Sequence, residues 1–125
     1  MISQEGPGWR LAWDPTRKSF PVLLGGDDWA FELSDEEWRS FVKLVLDLVQ
    51  EHDQIKSQLM EQESISLELE RDFWSACLAG DKDNWSLQVL LQEQQANKRG
   101  VEAFWPASST KDLLLSMRTI WETSQ

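Results

Sequence analysis

"FPVLLGGDDWAFEL" runs from residue 20 to residue 33, and "FWSACLAGDKDNWSLQVL" repeats its outline from 73 to 90. Each phrase is an aromatic, a run of small and aliphatic residues, a Gly-Asp turn and then Trp-x-apolar. Gly and Asp tolerate the backbone conformations of a tight strand reversal, so both phrases read as hairpins. Outward from the first, "GWRLAWD" (8–14) alternates Trp9, Leu11 and Trp13 against Arg10 and Ala12, the period-2 pattern of a half-buried strand. "DPTRKS" supplies a turn, and Pro21 suits a strand start or an edge.

A helix follows the first hairpin. Ser34 and Glu37 have the spacing of a capping box, Leu33 and Trp38 can staple across it, and Asp35 and Glu36 suit the positive end of the helix dipole. Behind them Trp38, Phe41, Val42, Val45, Leu48, Val49, His52 and Ile55 recur at helical spacing, which predicts a helix over about 35–58 with a wide apolar stripe. From Ile65 the period returns to two, with Ile65, Leu67 and Leu69 facing one way and Ser66, Glu68 and Glu70 the other. "FWSACLAG", the "GDKDN" turn and "WSLQVLLQE" form the second hairpin, "QQANKRG" is a polar loop, and "VEAFW" is one more strand ended by Pro106. Ser108 or Ser109 then caps a last helix whose narrow apolar face is Leu113, Leu114, Met117, Ile120 and Trp121.

The expected class is α+β. A unit of three strands and a helix, or four strands in the second copy, is written twice over 8–58 and 64–122, with the Gly-Asp hairpin at the equivalent place in each. Strands arriving in hairpins, with helices only after them, predict a mainly antiparallel sheet backed by two helices. At 125 residues the chain is read as a single domain over 1–125, with 1–7 and 123–125 as flexible ends.

Composition sets the outer limits. The chain is 41% hydrophobic and 27% charged, ordinary for a folded protein, but it holds eight Trp and no Tyr, which predicts aromatic packing. A lone Cys77 forms no internal disulfide and is compatible with a reducing compartment, so a cytoplasmic location is expected. No stretch approaches the roughly 20 apolar residues of a membrane span, and "MISQEGPGW" lacks the basic and apolar regions of a signal peptide. Net charge is −10, half of it on residues 35–63, where eight acids face Arg39, Lys43 and Lys56. Such an excess opposes indiscriminate binding to phosphate backbones.

Catalytic templates find little purchase. "LGGDDWAF" resembles the Gly-Gly-Asp/Glu-Glu-Phe signature of nucleotide cyclases, but too little chain precedes it to supply the metal-binding strand that this chemistry needs, and a hairpin selects the same residues. Asp81 and Asp83 open a calcium-loop spacing whose next ligand position falls on Trp85. The single His52 lies on an apolar helix stripe and reads as a structural imidazole, and Cys77 reads as packing. No enzyme, cofactor or metal is expected.

Face assignment sorts the tryptophans. Trp9, Trp13, Trp29, Trp38, Trp85, Trp105 and Trp121 fall on core-facing positions, whereas Trp74 alternates out of phase with Phe73 and Cys77. It is therefore expected on the outer side of the sheet with Leu23, Leu78, Leu90 and Phe104, an apolar set that no helix covers.

Taken together, "GWRLAWDP", "FPVLLGGDDWAFEL" with the capped "SDEEW" helix, "GDKDNWSLQV" and "AFWP" resemble a small uncharacterised cyanobacterial family, a domain of unknown function. That family is similar in fold to the Whirly proteins and to single-stranded-DNA-binding transcriptional coactivators. The resemblance implies a protruding antiparallel sheet backed by helices. The basic Lys-Gly-Lys-type motif of Whirly proteins has no counterpart here, so no functional residue is carried over.

Two functions are expected from these readings. The first is a non-catalytic interaction module that binds a protein partner, or its own copy, through Leu23, Trp74, Leu78, Leu90 and Phe104. The alternative is a transcription-related protein that binds single-stranded nucleic acid, with Trp74 and Phe104 stacking bases and Arg10, Arg17, Lys18, Arg71, Lys98 and Arg99 meeting phosphates.

Overall fold

The two hairpin phrases fold into two separate four-stranded antiparallel meanders in a computed structural model that describes residues 1–92 and 100–124. The first sheet holds β1 (Ile2–Gly6), β2 (Trp9–Trp13), β3 (Val22–Gly25) and β4 (Ala30–Leu33) in that order. Helix α1 (Asp35–Ile55) follows and ends in a 3-10 turn over Lys56–Gln58. The second sheet holds β5 (Ile65–Arg71), β6 (Trp74–Gly80), β7 (Trp85–Gln92) and β8 (Gly100–Trp105), and α2 (Ala107–Ser124) closes the chain.

This α+β arrangement replaces the one expected sheet with two. Among the described residues each strand pairs only with its neighbours in sequence, and the 21-residue α1 stands between β4 and β5. Its apolar stripe packs chiefly on the second sheet, with the Phe41 ring 5.1 Å from that of Trp74 and 6.3 Å from that of Trp105, and touches β4 of the first. Helix α1 packs mainly on β5 and β6, while α2 spans β7 of one sheet and β1 and β2 of the other. The core between them is continuous. Trp105 binds the sheets together, donating its indole N–H to the Gly25 carbonyl at 3.1 Å with its ring 5.5 Å from that of Trp29.

The α1 start is built as its sequence dictates. Ser34 Oγ accepts from the Glu37 N–H, and Glu37 Oε1 accepts from the Ser34 N–H at 2.8 Å, with Asp35, Glu36 and Glu37 in the first turn. Other details differ from expectation. Residues 2–6, read as part of a flexible end, form edge strand β1, paired to β2 from Ile2 opposite Trp13 to Gly6 opposite Trp9. "ISQEG" carries no apolar alternation because most of it is exposed, so pairing with β2 defines it. Helix α2 starts at Ala107, directly after Pro106, and reaches Ser124. The Ser109 hydroxyl is engaged elsewhere, donating to the Pro7 carbonyl at 2.8 Å.

The two Gly-Asp corners do not occupy equivalent places. "GGDD" joins the third and fourth strands of its sheet, whereas "GDKDN" joins the second and third. What they share is local: Gly26 N–H donates to the Trp29 carbonyl and Asp81 N–H to the Asn84 carbonyl, each at 2.9 Å. A Cβ on Gly25 would lie 2.5 Å from the Trp29 oxygen, and one on Gly80 2.2 Å from the Asn84 oxygen. The same tight reversal therefore selects the same residues at two unrelated positions.

All eight tryptophans are buried or half-buried, Trp74 included at 1% exposure. Its expected outward position fails because Phe73 belongs to the hairpin and not to the strand. Arg71 pairs with Trp74 across a two-residue turn whose Asp72 takes a left-handed φ of 54°, and this turn resets the alternation. Trp74, Ala76 and Leu78 then face the core, while Ser75, Cys77 and Ala79 face outward. The Trp74 indole N–H donates to the Glu37 carbonyl at 3.0 Å, which satisfies it inside the protein. His52 is buried as expected. A carbonyl only accepts, so its Nε2 carries a proton, donated to the Asp81 oxygen at 2.9 Å. Among the described residues no helix is long and apolar enough to cross a membrane.

Candidate functional site

Both helices pack on the inner faces of the sheets, which leaves the outer face of the second sheet uncovered by either. Strand register places its outward residues in rows. Ser66, Ala79 and Ser86 form one; Glu68, Cys77, Gln88 and Phe104 the next; Glu70, Ser75, Leu90 and Glu102 the third. Phe104 is 53% exposed, and Leu90 is half-buried one row away on the neighbouring strand. Between β5, β6 and β7 lies a shallow depression of about 250 Å³, lined by Glu68, Glu70, Ser75, Cys77, Gln88 and Leu90.

The chemistry of this face is mixed: Leu90 on β7 and Phe104 on the edge strand β8 are its large apolar side chains, Ser75, Cys77 and Gln88 lie between, and carboxylates stand on both edge strands. Glu68, Glu70 and Glu102 point outward, and no Lys or Arg lies in those rows. Gln88 Nε2 donates to Glu102 Oε1 at 2.9 Å, and Ser66 Oγ lies 3.3 Å from Cys77 Sγ. The alternation that set Ser66, Glu68 and Glu70 apart from Ile65, Leu67 and Leu69 was the sequence signal for the acidic border.

Only part of the expected apolar set assembles here. Leu90 and Phe104 share the face, whereas Trp74 and Leu78 are buried on the other side of β6 at 1% and 0% exposure. Leu23 lies on the outer side of the first sheet, opposite Ala12 and Glu32, where it joins Met1, Ala12 and Pro21 around a small pocket of about 130 Å³.

The expected cationic set does not form a strip. Arg10 spends its guanidinium on the β3–β4 hairpin, donating to the Gly26 and Trp29 carbonyls at 3.0 Å each. Arg17 pairs with Glu32 at 2.7 Å, and Arg71 reaches to Asp47 on α1. Lys18 is exposed. Lys98 and Arg99 lie outside the described residues. With Trp74 buried, the expected stacking pair is also reduced to Phe104.

The carboxylates singled out by spacing serve the turns. Asp27 Oδ1 accepts from the Gly8 N–H at 2.8 Å. Asp81 Oδ1 accepts from the N–H groups of Asn84 and Asp83, and these two bonds hold its carboxyl below the ordinary 3.8. A depressed folded-state pKa contributes stability above the unfolded value and loses it as pH falls through the folded one. Asp81→Asn should therefore flatten the acid limb of a stability–pH profile below about pH 4, checked by urea titration of both proteins across that range. Among the described residues no group of three or more His, Cys, Asp or Glu is placed to hold a metal ion.

The sequence model of a family described as "Domain of unknown function (DUF1818)" matches residues 4–120. Among solved structures, the chain is similar to a crystal structure of a protein with unknown function from the DUF155 family of Prochlorococcus sp. NATL2A, a cyanobacterium. Identity is 42%, the TM-score is 0.90, and the match covers 97% of this chain and 99% of that one. No curated protein matches the chain.

Proposed function

Given that the chain belongs to the DUF1818 family, a domain of unknown function, we propose that it is a non-catalytic interaction module that binds a protein partner through the outer face of its second sheet. The observation that carries this reading is Phe104, a large aromatic 53% exposed on a sheet face that neither helix covers. Exposed aromatics flanked by polar groups are the anchors that protein interfaces favour. The lone Cys77, half-buried on the same face, fits a reducing cytoplasmic setting.

The likeness to Whirly proteins belongs to this reading at the level of fold. Four strands and a helix, followed by four strands and a helix, is an order that supports both that likeness and a duplicated unit. The ligand does not come with it. Glu68, Glu70 and Glu102 set three carboxylates where a nucleic-acid-binding sheet needs cations, and the same charges oppose two copies meeting face to face.

Capture from cell extract with wild-type protein and with Phe104→Asp, run side by side, tests the module. A protein retained by the first should bind the second about 30-fold or more weakly. Identical retention by both would reject the site. Titration of the wild type with an unstructured oligonucleotide at low salt should leave tryptophan fluorescence unchanged; quenching that weakens as salt rises would favour the nucleic-acid alternative instead.

A further inference from the structure

A second feature of the sheet lies at its edge, and it stands independently of the face. Strand β5 is the longest edge strand among the described residues, seven residues paired to β6 in an unbroken register. It has neither the proline, the lysine nor the bulge that commonly blunts a free edge. Its inward residues Ile65, Leu67 and Leu69 are all only half-buried, whereas Ala103 and Trp105, the last inward residues of the opposite edge strand β8, are fully buried. Helix α1 packs on β5 yet covers these three residues only in part, so unpaired backbone and half-covered apolar side chains coincide along this edge.

We propose that this edge pairs antiparallel with β5 of a second copy, about a two-fold axis at Leu67, to give one continuous eight-stranded sheet. The sequence is self-complementary in that register. Leu67 meets its own counterpart and Ile65 meets Leu69, which extends the apolar inner face, while Glu68 meets Ser66 and Glu70 meets Ser64 on the outer face. Moving the axis to Glu68 sets that carboxylate against itself, and moving it to Leu69 sets Glu68 against Glu70, both of which cross-strand repulsion disfavours. An axis at Ser66 avoids those clashes but pairs fewer residues of β5. Charge and length together select Leu67.

Such an edge contact is small, so the dimer is weak and concentration-dependent. Each copy carries a net charge of −10, and screening that repulsion strengthens the dimer as salt rises. A basic partner strand on the same edge behaves in the opposite way.

Sedimentation velocity from low-micromolar to sub-millimolar protein, at low and high salt, reads the association. Hydrogen exchange over the same concentrations locates it. The expected result is a monomer–dimer equilibrium favoured by salt, with β5 amides gaining protection as dimer forms. Ser66→Glu changes an exposed side chain and sets a carboxylate opposite Glu68 of the second copy twice, which should weaken association about tenfold. Adding Glu68→Lys should restore it. A monomer under every condition, or a dimer that Ser66→Glu leaves unchanged, overturns the proposal.

Discussion

Trp74→Ala should lower the unfolding free energy by about 3–5 kcal/mol, the range for deleting a large buried aromatic. The indole is 1% exposed, its ring lies 5.1 Å from that of Phe41, and its N–H donates to the Glu37 carbonyl at 3.0 Å. Alanine leaves a cavity between α1 and the second sheet. The urea midpoint should fall while the slope of the transition holds. Phe104→Ala on the opposite face should shift stability by no more than about 0.5 kcal/mol. Equal, small effects at both positions would mean that the Trp74 ring is not part of the core.

Trp105→Ala should be comparably costly, about 3–5 kcal/mol, and it tests the junction of the two sheets. Trp105 is fully buried at the end of β8, bonded to the Gly25 carbonyl of the first sheet and packed near both Trp29 and Phe41. Trp105→Phe keeps most of the ring and removes the bond, so it should cost about 1–2 kcal/mol. Native-state hydrogen exchange adds a second readout. In Trp105→Ala the amides of the first sheet should open at a lower free energy than those of the second, because their connection through the core is weakened. Uniform loss of protection across both sheets would instead mean that α1 and α2 alone couple them.

Legibility followed range. Helix α1 was readable because its cap and stripe are decided within a few residues: Ser34 and Glu37 bond each other three positions apart, and the stripe repeats every turn. The alternation of β7 was equally plain, Trp85, Leu87, Val89 and Leu91 all facing the core. The acidic border of the candidate face was legible too, in the Ser66, Glu68 and Glu70 row. Trp74 was misread because a two-residue turn with Asp72 in the left-handed region interrupts a phase that looks continuous from Phe73 onward. Strand β1 was invisible for a different reason. Its largely exposed residues carry no pattern of their own, and contacts such as that of Gln4 with Ser116 of α2 arise only in the folded chain.

By itself the amino-acid order determined the hairpins, the capped helix, the class α+β and which residues of a regular strand share a side, because each depends on backbone geometry and apolar spacing within a short window. Tertiary structure alone decided that there are two sheets, that Trp105 reaches Gly25 eighty residues away, and that Leu23 lies on a different sheet from Leu90 and Phe104 while Trp74 and Leu78 turn inward. A strand's alternation says which residues lie on the same side. What covers that side is settled by partners distant in sequence, and with it whether an apolar side chain is core or interface.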